Sequence, residues 1–289
     1  MKKRIFRKST VICMGAGLLL LFLTFYIKGY TAIFDYLKYI GGESPLATFT
    51  EDHGIWSSVL KERNFERTAE IIKSQVFSFY AMMEYGYFLY GSIANLLLTL
   101  PVIRFFQERQ RGYTNLQLLR YGSFRPYILH EAISCSLGGW LIAVVPALVF
   151  WFLAMVLSSS IFPLSQSFTT HLDSSFFGAM YLNHTYLCYL LYILIQSSVF
   201  FFTALFAFAI SIWLKKAIYV LFSGFLYSYL TVLVLGLMQK GQYASTFSPT
   251  QTGNLVSFAP TFVYCFYTFL ISMVLLYLLK KDLITNGKN

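Results

Sequence analysis

Few residues in this chain have the type and spacing that chemistry needs. His130 and Glu131 stand side by side, but no second histidine follows four residues after the first. A helical zinc site built on one face therefore lacks its other imidazole. The pair reads instead as a structural one at a membrane surface. His53, His171 and His184 are scattered with no metal-ligand spacing. Ser223-Gly224 lies in an apolar run, with Leu221 where a serine nucleophile turn needs glycine. The only Gly-Lys pair is Gly287-Lys288, so the phosphate-cradling loop G-x-x-x-x-G-K-[ST] is absent. Cys13, Cys135, Cys188 and Cys265 lie far apart in or near apolar runs, with no C-x-x-C pair, and read as free thiols. The residues imply no catalytic centre, no metal and no cofactor in this chain.

What remains is uncharged polarity inside apolar segments. Ser92, Asn95 and Thr99 fall at i, i+3 and i+7, on one face of a helix. Thr261, Thr268 and Ser272 make a second such stripe. Stripes of this kind bond neighbouring helices or line a translocation path, and both readings stay open on spacing alone. No ionisable group lies mid-segment, which argues against a carrier driven by protons or sodium.

The elements that must position these residues are membrane spans. Of the 289 residues, 57% are apolar and only 12% charged, about half the charged share of a soluble domain. A spanning helix takes about 20 mostly apolar residues. Six segments qualify: 11–27, 85–106, 132–157, 187–213, 217–238 and 258–279, with Pro101 near the end of the second and Pro146 inside the third. The first also resembles a signal peptide, but it runs into Thr24-Phe25-Tyr26-Ile27-Lys28 without a small-residue cleavage pattern, so we expect it to be retained as a span.

The net charge of +10 is placed accordingly. With the N-terminus inside, segments 1–10, 104–131, 215–216 and 280–289 hold 15 of the 22 Lys and Arg. That bias puts both termini in the cytoplasm, and it reads as a partnership with lipid, not with nucleic acid. Residues 28–84 become one long extracellular segment carrying 8 of the 12 acids. Within it, Trp56, Val59, Leu60, Ile72, Val76, Phe79, Tyr80 and Met83 have helical spacing, which predicts an amphipathic helix on the outer leaflet or capping the bundle. The fold class is thus an all-α integral membrane protein with one transmembrane domain.

The inner loop 105–125 is unusually ordered by sequence. Thr114 and Gln117 fit a capping box, Leu116, Leu118, Leu119 and Tyr121 supply an apolar side, Gly122 fits a helix stop and Pro126 a first turn. These signals predict a short amphipathic helix along the inner surface, running at once into the third span.

At this loop the chain resembles the membrane subunits of ABC exporters, the type-2 export permease family. Those subunits have six spans, both ends inside, and an E-x-x-x-G element just after the second span. Here that element is Glu108 to Gly112, followed by Gly122-Ser123-x-Arg125 before the third span. The motif covers about twenty residues, and the topology covers the chain. Two features depart from the family pattern: residues 28–84 exceed its minimum, and the connection from Gln239 to Ser257 shows no obvious apolar re-entrant helix.

The resemblance implies a permease moving an amphipathic peptide, antimicrobial or lipid-like substrate across the cell membrane. It also implies a separate cytoplasmic ATPase carrying the ATP and Mg, and a second membrane subunit, identical or similar. Glu108, Arg109, Arg111 and Gly112 with Leu118, Leu119 and Tyr121 would meet that ATPase. The competing reading is a polytopic accessory, immunity or sensor protein that binds a ligand through residues 28–84.

Overall fold

The computed structural model describes residues 8–40, 76–87, 90–121, 123–161, 183–238, 240 and 259–278. These residues form nine helices: α1 (Lys8–Ile40), α2 (Phe79–Tyr87), α3 (Tyr90–Leu97), α4 (Leu100–Gln110), α5 (Tyr113–Tyr121), α6 (Phe124–Leu157), α7 (Thr185–Ser211), α8 (Ala217–Leu237) and α9 (Ala259–Tyr277). Among the described residues there is no strand, only an isolated bridge between Ser78 and Ser160. Helices in α1, α6, α7 and α8 are long and apolar enough to cross a membrane. Their outward side chains, such as Leu19, Phe152, Leu226 and Leu237, are apolar and exposed. So continuous an apolar surface suits lipid and not water.

α7 is the central helix, packed by α6, α8, α9 and α4. Small residues let its neighbours close in: Ala204, Ala207 and Ala209 are fully buried. Trp140 Nε1 on α6 donates to Ser197 Oγ on α7 at 2.9 Å. Gly17 on α1 makes room for Pro146 on α6, since a Cβ there would stand 2.9 Å from the proline Cγ.

The second apolar segment departs from the continuous helix that its length predicts. Its described residues form α2, α3 and α4, with an interruption at 98–99 between α3 and α4; residues 88–89 lie outside the described residues. The break before α4 has a local cause. Pro101 stands in the first turn of α4, where it lacks an N–H and crowds the preceding turn. Thr99 Oγ1 then donates to Leu96 O at 2.7 Å and to Leu221 O on α8 at 3.0 Å. Two glycines hold the broken backbone from either side. A Cβ on Gly139 of α6 would lie 2.6 Å from Leu98 O, and one on Gly224 of α8 would lie 3.0 Å from Asn95 O.

Of the two placements expected for the outer amphipathic helix, on the leaflet or capping the bundle, the leaflet one is corrected where the stretch is described. Val76, Phe79, Tyr80 and Met83 are buried in the bundle core. They are seated by Phe79 N donating to Ser160 O at 2.8 Å and by the Phe79 ring meeting Tyr186 edge-on at 4.7 Å. The rest of that stretch, 55–75, lies outside the described residues. α1 runs to Ile40, well past the predicted span end at Ile27. α7, α8 and α9 start and stop within about two residues of the fourth, fifth and sixth predicted spans, whereas α6 begins at Phe124, eight residues before the predicted start of the third.

The helix ends that adjoin the basic segments share one end of the bundle. Arg109 and Gln110 at the end of α4 bond the 212–215 turn, where α7 gives way to α8. Thr10 and Cys13 of α1 line a cavity with Arg104 and Arg111. Leu276 of α9 packs against the cluster of Val102, Ile212 and Val220.

Candidate functional site

The site is built at that end, around the corner from α4 to α5. α4 stops at Gln110, and Gly112 reverses the chain with φ +77°. This is the left-handed region that favours glycine, and the space around its α-carbon is open, so backbone conformation alone demands the residue. The helix start differs from the predicted capping box. Because Gly112 turns the chain so sharply, α5 already begins at Tyr113, and Thr114 lies inside it with its hydroxyl buried and unbonded. Gln117 is engaged elsewhere: its Oε1 accepts from Tyr127 OH on α6 at 2.9 Å.

Arg109 is the strut of this corner. Only 7% exposed, it donates through one terminal nitrogen to Ile212 O at 2.7 Å and through the other to Leu214 O at 3.3 Å. These carbonyls belong to the C-terminal end of α7, which has no intrahelical donors for them and carries negative partial charge. Phe106 lies under the guanidinium at 5.2 Å. Burial pulls the Arg109 pKa below its ordinary value, yet a guanidinium stays charged. The spacing that could have announced this is present in sequence. Val102, Phe105, Phe106 and Arg109 fall at i, i+3, i+4 and i+7, so Arg109 shares the buried face. Of the two arginines expected to meet a partner, Arg111 is the exposed one. Glu108 is half-buried and accepts from Arg104 Nε at 3.2 Å.

α5 presents the apolar side predicted for it. Leu119 is 81% exposed, with Leu116, Tyr113 and Tyr121 exposed around it. The side chain of Leu118 lies outside the described residues. Two contacts hold α5 against α6 besides the Gln117–Tyr127 bond: Tyr121 OH meets His130 Nδ1 at 3.2 Å, and the Tyr121 ring meets the Tyr127 ring at 5.4 Å. His130 Nδ1 is 3.8 Å from Glu131 Oε1. His130 thus ties α5 to α6, with Glu131 beside it on α6.

Behind α5 a cavity of about 660 Å³ opens between α1, α4 and α6. Arg104, Glu108, Arg111 and Glu131 line one part of it; Leu100, Pro101, Cys135, Gly138 and Ile142 line another. Sequence reading did not assign Arg104 or Glu131 to a site. Among the described residues, no group of three His, Cys, Asp or Glu could hold a metal ion. Comparison of the chain with protein-family models, with curated proteins and with solved structures found no match.

The two polar stripes are now placed. Thr99 bonds α8, as above, and Thr268 Oγ1 pairs with Tyr227 OH at 2.9 Å. Ser272 Oγ donates to Thr268 O at 2.7 Å within its own helix. Thr261 is buried, and the Ser92 side chain lies outside the described residues. Asn95 is 8% exposed, with Oδ1 buried and unbonded by any protein group. Thr99 and Thr268 thus join neighbouring helices. A seam that sequence reading did not single out reinforces α7 to α9, where Thr203 Oγ1 and Tyr264 OH lie 3.0 Å apart and Phe206 stacks on Tyr227 at 3.9 Å.

Proposed function

We propose that this chain is the membrane subunit of an ATP-driven exporter of the type-2 ABC class. In this reading the helical bundle crosses the cell membrane six times, with α2–α4 and α9 supplying the two crossings beyond the four long helices. The basic end faces the cytoplasm. α5 is the element that a separate ATPase grips. The single observation that carries the proposal is α5 itself: a short helix at the basic end, started by a left-handed glycine, braced from behind and apolar on its exposed side. Such a helix can enter a groove on a partner and pass its displacement to the helices that brace it. Glu108, Arg111 and Gly112 rim that contact, with Leu119 and Tyr121 as its anchors. The absence of a P-loop in the sequence supports an energy source in a second protein.

The substrate of this permease is amphipathic, because the helix interior holds hydroxyls and aromatic rings where an ion path would need charge. A second copy of the chain, or a similar membrane subunit, completes the transporter.

The test is purification from its own membrane in mild detergent, with identification of the proteins that come along. A P-loop ATPase in fixed ratio to the chain is the expected result, lost on Leu119→Asp at unchanged yield of the membrane chain. An intact preparation that repeatedly lacks any ATPase overturns the proposal, and favours an accessory protein acting through residues 28–84.

A further inference from the structure

We infer that the first part of α1, residues 8–16, is a strap that swings about Gly15 and Gly17 and shuts the cavity between α1, α4 and α6. The two parts of α1 are held very differently. Beyond Gly17 the helix is fixed. Leu21 is fully buried, Thr24 bonds Gly86 O, and the Phe25 ring meets those of Phe77 and Phe150 with centroids 6.0 and 6.5 Å away. Before Gly17 the side chains of Val11 and Ile12 are exposed, and Gly15 and Ala16 are open as well. Thr10 and Cys13, one turn apart on the same face, turn towards the bundle, and there they line the cavity. The apolar cluster of the basic end bypasses this part of α1. It joins Phe105 of α4, Tyr127 of α6, Phe208 of α7, Val220 of α8 and Leu276 of α9, and among the described residues it takes nothing from α1. The cluster at the other end does include Leu21, with Leu18 and Phe25 packed against it. α1 is therefore a packed member at one end of the bundle and a loose wall at the other.

The change falls at two glycines. At Gly17 the backbone of α1 touches the Pro146 ring of α6, which makes that contact a fulcrum. Gly15 has open space around its α-carbon. A glycine inside a helix weakens it relative to alanine, so the softest point of α1 lies beside its fulcrum. The nine residues before Gly17 make a lever about 14 Å long, and a tilt of about 20° carries its start about 5 Å towards α4. Among the described residues, neither Thr10 nor Cys13 is hydrogen-bonded to another helix, so the swing breaks no such bond. Two effects set the balance. Closure covers the half-buried Leu100, Pro101 and Ile103 of the cavity wall, which favours it. It also crowds Arg111 and the partly exposed ion pair of Arg104 with Glu108, which opposes it. Opposed effects of this kind leave both positions populated. The strap meets α4 behind the α5 corner, so when shut it props α4 against any push on α5. Only the source of that push rests on the ATPase proposal; the strap itself needs this chain and a bilayer.

The experiment uses the full chain in lipid nanodiscs, with the four native cysteines replaced by alanine and spin labels on Lys8→Cys and Lys216→Cys. Lys216 is exposed, next to the Lys215 carbonyl that Gln110 of α4 bonds. Pulsed electron paramagnetic resonance then reads the distance from the start of α1 to the end of α4. Two distances about 5 Å apart are expected. Gly15→Ala, which stiffens the helix, should cut the population at the shorter distance about fivefold. Ile142→Trp, which fills the cavity from α6, should remove the shorter distance, while Leu237→Trp on the outward face of α8 should leave both. A single distance in the parent, an unchanged shorter population in Gly15→Ala, or a shorter distance that survives Ile142→Trp would overturn the inference. Gly15→Ala places its methyl in open space, so its result stands even where the buried Ile142→Trp prevents folding.

Discussion

The two ends of the bundle are built from different materials. Where α2 meets the end of α6, rings and hydroxyls join the described residues. Tyr87 OH donates to Ala147 O at 2.8 Å, Tyr90 OH donates to Ala143 O, and Thr24 on α1 bonds Gly86 O. Phe150 lies edge-on between Phe22 and Tyr87, with ring centroids 5.4 and 5.8 Å away. The opposite end carries the arginines, two carboxylates, the 660 Å³ cavity and the uncovered apolar side of α5. The charged end has unfilled volume and uncovered side chains, braced by hydrogen bonds from the buried Arg109 and Tyr127. Among the described residues, open volume and uncovered apolar side chains adjoin α5, while the aromatic region keeps the helices in register.

Disrupting the closed end should cost most. A Cβ at Gly86 would stand 2.4 Å from the Phe150 ring, which has no room to withdraw. Gly86→Val should destabilise the fold by about 3 kcal/mol or more, seen as a large drop in melting temperature in detergent. A melting temperature within a degree of the parent would show that the closed end is softer than its packing suggests.

Next comes the strut. Arg109→Ala leaves the carbonyls of Ile212 and Leu214 without their donor and should cost about 2–3 kcal/mol, with faster protease cleavage at the 212–216 turn. Arg109→Lys keeps the charge but loses the fork, so it should recover only part of that stability. Equal stability of Arg109→Ala and the parent would remove Arg109 from its bracing role.

On the outer side of α5 the effect should appear in binding alone. Leu119→Asp should leave melting within about 0.5 kcal/mol of the parent and weaken ATPase association about tenfold or more. Titration with the copurified ATPase measures it, and a stability loss comparable to that of Arg109→Ala would mean that α5 is packed and not offered. The smallest effect belongs to the seam between the ends. Tyr227→Phe removes one hydroxyl bonded to Thr268 and should cost about 0.6 kcal/mol, typical of a hydrogen bond between membrane helices.

Much of this was legible in the residues. Apolar length gave the limits of α7, α8 and α9 to within a few positions, because lipid thickness sets a length that a sequence must match. Gly112 entered the sequence reading only as the end of the E-x-x-x-G element, and its left-handed backbone, which few other residues tolerate, makes the corner before α5. The second apolar segment misled, because its composition reads through a break that Pro101 and Thr99 make locally. Val76 to Met83 misled in the opposite sense. Their spacing marks a buried face, but spacing cannot say whether lipid or protein buries it.

The sequence by itself determined that the chain is helical, that it is too apolar for water, and that its basic residues flank the apolar segments. Each of those follows from local rules of length, charge and backbone freedom. Only the tertiary structure decided which arginine is a strut and which is exposed, since Arg109 and Arg111 differ by less than one helical turn and are told apart by what faces them. It alone brought Glu108 and Glu131 to one cavity across 23 positions of chain, because proximity between helices depends on packing that no local pattern encodes.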